Sequence, residues 1–407
     1  MTSTVYIAKN VYGGDGLGRL GDGRVVFVPG AFTGEQVKAE IVAEKKNFVK
    51  ARLVEIVESS PERVDGGELR KIPGLTYADL SYKGELEAKE AQLREFLERA
   101  RIWDGEKAPI VRVQPPEATE LNYRNKVVYH FEKQGDSWLI GYREEPSHRV
   151  VDIQYDPLAV PAINAKLPEI RRGVIALLTT GPQAVRRDIA SKGNVTIRWS
   201  EKTGVVWWVG DAPKAQVIRE VTCGRTFQVP AGGFYQVNPA VGNELVRAVT
   251  VEVSKVMDAT ADIIDLYCGV GVFGLCCIDS AKSRQCNLIG IESGREAIEF
   301  AKRNAAAQRV DAKFFAAQVG RSLRQLKVTE RSVVIVDPPR GGMEMNVAGF
   351  LARSKAHRII YVSCDPATMT RDLKTLCRGY EIESVKWFNM FPRTARFETM
   401  VVLKPRV

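Results

Sequence analysis

Apolar residues occur in short runs between glycine-rich turns over the first 58 residues. Residues 25–28, 36–41 and 51–57 are strand-like, and the glycines at 13–16 mark one of the turns between strands. Short strands joined by tight turns are typical of a small closed barrel. The pattern therefore predicts an N-terminal β-barrel of the oligonucleotide-binding (OB-like) kind.

The apolar spacing changes to a helical period at residues 82–101, which predicts an amphipathic helix. Strand-like runs return between residues 110 and 230, and one predicted helix, near residues 161–178, interrupts them. Strands and a helix mixed in this way predict an α+β central domain.

From residue 231 onward, short apolar strands alternate with helical stretches. This alternation predicts an α/β domain with a mostly parallel, doubly wound sheet. The last two strands are separated by only a short loop and should form an antiparallel pair. Seven strands with a terminal hairpin are typical of the Rossmann-like fold of S-adenosylmethionine-dependent methyltransferases. The predicted strands are residues 263–266, 288–291, 313–315, 333–336, 359–362, 381–388 and 398–403.

Charge favours a polyanionic partner. The 407 residues carry a formal net charge of +10, and a basic surface is typical of proteins that bind nucleic acid. In the predicted barrel, Lys45, Lys46, Lys50 and Arg52 surround Phe48, so cations and an aromatic face are available for RNA. A solvated charged hairpin would have the same pattern.

The seven cysteines are odd in number, and none has the spacing of zinc ligands. This predicts a reducing, cytoplasmic compartment and no metal site. No secretory leader and no apolar run of about twenty residues is found, so no membrane association is expected. A monomer is expected.

A glycine turn follows the first strand of the α/β region. Gly269 and Gly271 would allow close approach of a ligand to the backbone. Glu292 ends the next strand, where a carboxylate can accept hydrogen bonds from ribose hydroxyls. Ser293 and Glu296 are spaced as a helix capping box. The longer glycine pattern that binds the pyrophosphate of a dinucleotide is missing here, so an adenosine ligand is favoured over a dinucleotide.

Cys364 lies between a predicted buried strand and a predicted helix. Asp365 suits the N-cap, and Pro366 suits the first helical position. The positive end of the helix should favour the thiolate form of the cysteine. A small buried hydrophobic residue is the alternative interpretation of Cys364.

Two carboxylates complete a chemical argument. Asp337 follows the fourth strand in Asp-Pro-Pro-Arg, and Glu398 begins the last strand, where an unpaired carboxylate is costly to bury. Carbon 5 of a pyrimidine becomes nucleophilic when a thiolate adds to carbon 6, and a base must later remove the carbon 5 proton. This reaction requires a cysteine, a carboxylate base, an aspartate for the edge of the pyrimidine and a methyl donor.

At these residues the chain resembles the RNA uracil-5 methyltransferases that act on bacterial tRNA and 23S rRNA. Asp-Leu-Tyr-Cys-Gly-x-Gly, Asp-Pro-Pro-Arg, Tyr-Val-Ser-Cys-x-Pro-x-Thr and Glu-Thr-x-Val-x-Leu occur in the family's order, after a Phe-Tyr-Gln-Val-Asn segment. The resemblance implies that the barrel is a TRAM domain and that 23S rRNA is the substrate. It also implies the site residues, namely Cys364 as nucleophile, Glu398 as base, Gln236, Tyr267, Gly269, Glu292 and Asp337 at the S-adenosylmethionine site, and Gln236 and Asp337 near the uracil.

The chain departs from the family pattern in several places. Residues 60–80 contain no cysteine where many members hold an iron–sulfur cluster, so no cluster is expected. Val272 and Gln318 replace an asparagine and an aspartate near the donor site. Asp365 replaces the asparagine after the nucleophile, and Arg396 replaces a histidine before the base. A negative Asp365 should raise the pKa of Cys364.

The predicted division is a barrel at 1–58, a central domain at 59–80 and 110–230, and a methyltransferase domain at 81–109 and 231–407. Three alternative functions remain open. The substrate could be tRNA; the base could be cytosine, although such enzymes use a second cysteine that the Asp337 loop lacks; or the chain could be an inactive RNA-binding paralogue.

Overall fold

The computed structural model describes residues 2–115, 119–145, 147–256, 260–278 and 286–406. Its first five strands close into a barrel in the order β1-β2-β3-β5-β4. Alternate residues such as Val5, Ile7, Val26 and Val37 fill the interior, which confirms the predicted barrel. The strands are β1 (Thr2–Asn10), β2 (Gly16–Arg19), β3 (Val25–Val28), β4 (Gln36–Glu44) and β5 (Phe48–Glu58).

A five-stranded antiparallel sheet covered by two helices forms the middle of the chain, after a 3-10 helix at Gly67–Lys71. The sheet order is β11-β10-β7-β8-β9. Apolar residues of α2 pack on this sheet. The elements are β7 (Lys126–Gln134), β8 (Ser137–Arg143), β9 (Val150–Asp152), α2 (Pro161–Thr179), α3 (Gln183–Lys192), β10 (Asn194–Ser200) and β11 (Gly204–Val209).

The sequence pattern predicted a single helix in this region, and α3 is a second one. Its sequence is mostly polar, and Ile189 is the one buried apolar side chain that the structure describes in it. A short polar helix has too few apolar positions to show a helical period. Pro182 before it and Gly193 in a left-handed conformation after it were the available signals.

The C-terminal region forms an eight-stranded sheet in the order β16-β15-β14-β17-β18-β20-β19-β6. All seven predicted strands are present, with β20 antiparallel between β18 and β19. The elements are α1 (Tyr82–Ala100), β6 (Ile110–Val113), β12 (Val217–Thr222), β13 (Arg225–Pro230), α4 (Pro239–Ser254), β14 (Asp262–Leu266), α5 (Val272–Ile278), β15 (Asn287–Glu292), α6 (Arg295–Ala307), β16 (Ala312–Ala316), α7 (Val319–Ser322), β17 (Ser332–Val336), α8 (Met345–Arg353), β18 (Arg358–Ser363), α9 (Pro366–Leu376), β19 (Tyr380–Phe388) and β20 (Glu398–Pro405).

Two segments differ from the predicted division at residues 110–230. Strand β6 is the eighth strand of this sheet and pairs in parallel with β19, from Val385 with Ile110 to Phe388 with Val113. The β12–β13 hairpin places Phe227 and Val229 in the hydrophobic core beside α4 and α6. A four-residue strand that pairs with a strand far away in sequence has no local signature. The predicted seven-stranded sheet therefore left out the edge strand β6.

The order of the sheet determines where a ligand can bind. From β14 the chain continues to β15 and β16 on one side and then returns to β17 and β18 on the other. Between β14 and β17 the sheet therefore has a topological switch point, where a crevice opens at the carboxyl ends of the strands. Because β20 is antiparallel to β18, its first residue, Glu398, lies at this same edge.

Helices cover both faces of the sheet. One core contains residues of α4, α5 and α6. The other contains residues of α8 and α9 together with Leu86, Leu93 and Leu97 of α1. Among the described residues, no helix is long and apolar enough to cross a membrane.

Candidate active site

One cleft at the switch point is lined by every site residue that the resemblance implied. Its volume is about 870 Å³, within the range of small-molecule sites. Gln236, Tyr267, Gly269, Glu292, Asp337, Cys364 and Glu398 all line it, together with Phe234, Ser293, Gln318, Val319, Pro338, Pro339, Arg340, Gly342, Glu344, Phe391 and Arg396. These residues come from seven separate parts of the chain. Most of them lie where a strand of the eight-stranded sheet ends or begins at this edge.

The turn after β14 is held in an unusual conformation. Tyr267 has φ of 62°, Gly269 of 53° and Gly271 of 86°, and positive φ at a residue with a side chain costs free energy. The hydroxyl of Tyr267 bonds to the carboxylate of Glu344, which holds this residue in place. A Cβ at Gly269 would meet no atom within 4 Å, so the backbone here borders open space.

Glu292 lies beside this turn at the end of β15. Its Oε1 accepts hydrogen bonds from Ser293 Oγ at 2.9 Å and from the Gly294 amide at 2.7 Å. The predicted capping box is wrong, because the N-cap of α6 is Gly294 and has no side-chain cap. Ser293 bonds to Glu292 and so orients the carboxylate at the cleft.

These residues fit an adenosyl ligand. Space above Gly269, a carboxylate oriented by two donors at Glu292 and partly apolar walls are suited to an adenosine. Beneath the turn, Asp265 accepts from the Gly274 amide at 2.9 Å through Oδ2. Its buried Oδ1 has no hydrogen-bond partner among the described residues.

The Cys364 turn is organised by hydrogen bonds from its neighbours. Ser363 Oγ accepts from the Asp365 amide at 3.2 Å. Asp365 is the N-cap of α9, with Oδ1 accepting from the amides of Ala367 and Thr368 at 3.0 Å each, which confirms the predicted cap. The first free N–H groups of the helix are therefore bonded to Asp365 and are not available to the thiol.

The expected thiolate is wrong for the free protein. Burial, followed by the negative charges of Glu398 and Asp337, raises the pKa of Cys364 to about 11, and the Arg340 cation opposes this. Asp365 also raises it, as expected, but is a smaller cause. Cys364 consequently retains its proton at neutral pH.

Three carboxyl groups near the cleft influence one another. Burial raises the pKa of Asp265 to about 7, and burial together with Asp265 raises that of Asp337 to about 7. Glu398 is 5% exposed. Burial and then Asp337 raise its pKa well above the usual value, and Arg340 lowers it. Since like charges disfavour one another, these groups do not all ionise together near neutral pH.

Alkylation of the free protein tests the electrostatics of the thiol. With a pKa near 11, the rate of iodoacetamide modification at Cys364 should rise about tenfold per pH unit, without a plateau up to about pH 10. Peptide mass spectrometry measures the rate. Cys223 is an internal control, because a hydrogen bond with the Cys276 thiol lowers the pKa of Cys223, and its rate should level off earlier. A plateau for Cys364 below about pH 9 would contradict this account.

Sequence reasoning missed several neighbours of this site. Tyr12 of the barrel donates to the Cys364 carbonyl at 3.4 Å and accepts from Arg396 at 2.8 Å. Phe234, quoted only as the first residue of a motif, lies at the cleft and is 74% exposed. Arg340 was noted only for its place in a motif, yet its charge acts on both Cys364 and Glu398. For Tyr12 there was no signal, since it lies more than 350 positions from the cysteine.

Within the described parts of the chain, no group of three or more histidine, cysteine, aspartate or glutamate side chains could hold a metal ion. Within residues 60–80, the stretch without cysteine, Lys71 ends the short 3-10 helix and pairs with Glu68 at 2.6 Å.

A doubly wound sheet with a glycine turn and an oriented carboxylate at its switch point is typical of S-adenosylmethionine-dependent methyltransferases. Residues 221–406 match the family model described as tRNA (Uracil-5-)-methyltransferase, and residues 2–54 match the TRAM domain. The chain belongs to the RNA uracil-5 methyltransferase family, and its cofactor is S-adenosylmethionine.

Relatives match along nearly the whole chain. An uncharacterized RNA methyltransferase of Streptomyces avermitilis is 30% identical and covers 98% of each chain. A tRNA (uracil(54)-C(5))-methyltransferase of Schizosaccharomyces pombe is 26% identical over 96% of this chain and 76% of its own length. The crystal structure of Pyrococcus abyssi tRNA (uracil-54, C5)-methyltransferase with S-adenosyl-L-homocysteine has a TM-score of 0.72 at 24% identity, covering 98% of this chain and 100% of that one. This structure shows the same fold.

Proposed function

We propose that the protein methylates carbon 5 of a uracil in RNA through a covalent bond between Cys364 and carbon 6 of the base. One observation carries the proposal. The Cys364 thiol and the Glu398 carboxyl line the same cleft as the glycine turn and Glu292, and they are close enough for Glu398 to raise the pKa of Cys364. A nucleophile and a base are therefore next to the donor pocket.

We assign the donor pocket to Gln236, Tyr267, Gly269, Glu292 and Asp337, and we assign Gln236 and Asp337 also to contacts with the uracil. S-adenosylmethionine supplies an electrophilic methyl group when bound. The oriented carboxylate of Glu292 is suited to ribose hydroxyls. The open space at Gly269 lets the backbone approach the ligand.

The chain's own residues would act in two stages. The target uracil must leave its stack to reach the cleft. Cys364 first loses its proton to water, which can enter the partly accessible cleft. The sulfur then bonds to carbon 6 while the ring electrons move toward the carbonyl oxygen at carbon 4. After carbon 5 is methylated, ionised Glu398 removes its proton, the carbon–sulfur bond breaks, and the ring double bond re-forms.

The cleft electrostatics bear on both stages. Burial raises the pKa of the Cys364 thiol and of the Glu398 carboxyl, so each group must lose any proton that it holds before its step. Arg340 is the cation that acts on both groups. Its charge favours thiolate and carboxylate alike.

We assign the substrate to 23S rRNA, because a TRAM domain precedes the catalytic part and the resemblance associates that domain with ribosomal-RNA enzymes. The barrel and the central sheet would contact RNA. We also propose that the protein is a cytoplasmic monomer. Its domains would follow the predicted division, except that β6 and the β12–β13 hairpin would belong to the methyltransferase domain. A tRNA substrate is the second candidate, which the name of the Schizosaccharomyces pombe relative supports.

Mapping the modified base tests this proposal. The protein is incubated with methyl-labelled S-adenosylmethionine and unmodified transcripts of 23S rRNA and tRNA, and the digested nucleosides are identified by mass spectrometry. Labelled 5-methyluridine from the ribosomal transcript is the expected product. Labelled 5-methylcytidine would refute the uracil assignment. Absence of label from all RNA, with no donor binding by calorimetry, would support the inactive RNA-binding alternative.

A further inference from the structure

Tyr12 of the N-terminal barrel contacts two segments that form the catalytic cleft. Tyr12 follows β1, and its hydroxyl donates to the backbone carbonyl of Cys364 at 3.4 Å while accepting from Arg396 Nη1 at 2.8 Å. Its ring packs edge-on against Phe96 and Phe397, each with a centroid distance of 5.8 Å. A barrel residue thus bonds both to the nucleophile's turn and to the segment that leads into Glu398.

Arg396 in turn lies close to Asp365. Its Nη1 is 3.7 Å from Asp365 Oδ2, and its guanidinium carbon is 5.3 Å from the centre of the Tyr12 ring. These two residues are also departures from the family pattern. The negative charge that Asp365 adds beside the nucleophile is accompanied by the positive charge that Arg396 adds two positions before the base.

Removing Arg396 alone should have a larger effect than removing Arg396 and Asp365 together. Asp365 raises the pKa of Cys364, and a nearby cation offsets the field of a carboxylate. Without Arg396, the carboxylate of Asp365 would be left beside the thiol with less compensation. Without Asp365, Arg396 would have no charge to offset.

We propose that Tyr12 is a positioning residue for methyl transfer, which fixes the turn of Cys364 and holds Arg396 next to Asp365 as a matched pair. Through this contact the barrel contributes to the orientation of the nucleophile and not only to RNA binding. The proposal rests on the assignment of Cys364 as nucleophile under Proposed function.

The Tyr12→Phe variant isolates the hydroxyl, because the ring and its packing on Phe96 and Phe397 are kept. We expect kcat to fall about tenfold and KM for RNA to stay unchanged. The variant loses the hydrogen bonds from Tyr12 to the Cys364 carbonyl and from Arg396 to Tyr12, which position the turn. Tyr380→Phe is the matched control. It removes a hydroxyl bonded to the Ser354 and Ala356 carbonyls, outside the cleft, and should leave kcat unchanged.

A readout without RNA separates this inference from the proposed function. In the free protein, freeing the Cys364 turn should change the iodoacetamide rate at Cys364 by about threefold or more in Tyr12→Phe, but not in Tyr380→Phe. If the unaltered protein methylates no RNA, the proposed function fails, and the alkylation rates still decide the role of Tyr12. Equal alkylation rates in Tyr12→Phe and the unaltered protein, or an unchanged kcat, would overturn the inference.

The charge pair is tested by a double-mutant cycle. Asparagine caps helices well, so Asp365→Asn should keep α9 intact and change kcat little. Arg396→Gln alone should lower kcat about tenfold, and Asp365→Asn added to it should restore most of this loss. If the fold-change of kcat in the double variant equals the product of the two single fold-changes, the residues act independently, and the matched pair is refuted.

Discussion

The Glu398→Gln variant is expected to stop after methyl transfer and to accumulate protein joined covalently to methylated RNA. Glutamine keeps the shape of the side chain but cannot take the carbon 5 proton, so the carbon–sulfur bond has no route to break. Turnover should fall by about 10²- to 10⁴-fold, the usual contribution of a general base. A denaturing gel of the quenched reaction measures the adduct, and release of labelled methyl product measures turnover.

The same substitution should make the nucleophile more reactive. Glu398 is the largest electrostatic cause of the raised pKa of Cys364, and removing a negative charge lowers the pKa of a neighbouring thiol. Iodoacetamide should therefore modify Cys364 faster in Glu398→Gln than in the unaltered protein at about pH 9. Glu383→Gln, in an ion pair with Arg358 away from the cleft, is the control and should change neither quantity. Normal turnover by Glu398→Gln would exclude Glu398 as the base.

Replacing Cys364 by alanine should abolish both the adduct and methyl transfer. Carbon 5 of uracil is too weakly nucleophilic to react without addition at carbon 6, so the single-turnover rate should fall by at least about 10⁴-fold. Donor binding measured by calorimetry should be retained, because Cys364 is not among the residues assigned to the donor pocket.

The matched control for this variant is Cys377→Ala. Cys377 is a buried cysteine at the end of α9, packed in the core on the face of the sheet that α8 covers. The same substitution there should not change methyl transfer beyond any loss of folded protein, and a melting curve measures that loss. Residual transfer above about 1% of normal in Cys364→Ala would mean that the uracil is activated by another group, or reacts without a nucleophile at carbon 6.

Much of the site could be predicted because each motif is local and lies at a strand end. The glycine turn, Glu292, Asp337 and Cys364 each follow a parallel strand, and parallel strands present their carboxyl ends at one edge of the sheet. Alternation of strands and helices was therefore enough to expect these groups in a single cleft.

What could not be predicted depends on contacts between distant segments. The short strand β6 pairs with β19 from a position more than 270 residues earlier, and no local pattern marks such an edge. The protonation of Cys364 depends first on burial and then on Glu398, Asp337 and Arg340, and the tertiary fold sets both the burial and the distances of these charges from the sulfur. The helix end that should have favoured the thiolate instead bonds to its own N-cap, Asp365.

The most direct measurement of the central claim is a mechanism-based trap. The protein is mixed with S-adenosylmethionine and with 23S rRNA or tRNA transcripts containing 5-fluorouridine, and the products are separated on a denaturing gel. Fluorine on carbon 5 cannot leave as a proton, so the reaction should stall as a covalent protein–RNA adduct. We predict a shifted band whose cross-linked peptide contains Cys364 and which is absent in Cys364→Ala. If donor binding and methyl transfer to normal RNA are detected but no adduct forms, or if the adduct persists in Cys364→Ala, the covalent mechanism assigned to Cys364 is contradicted.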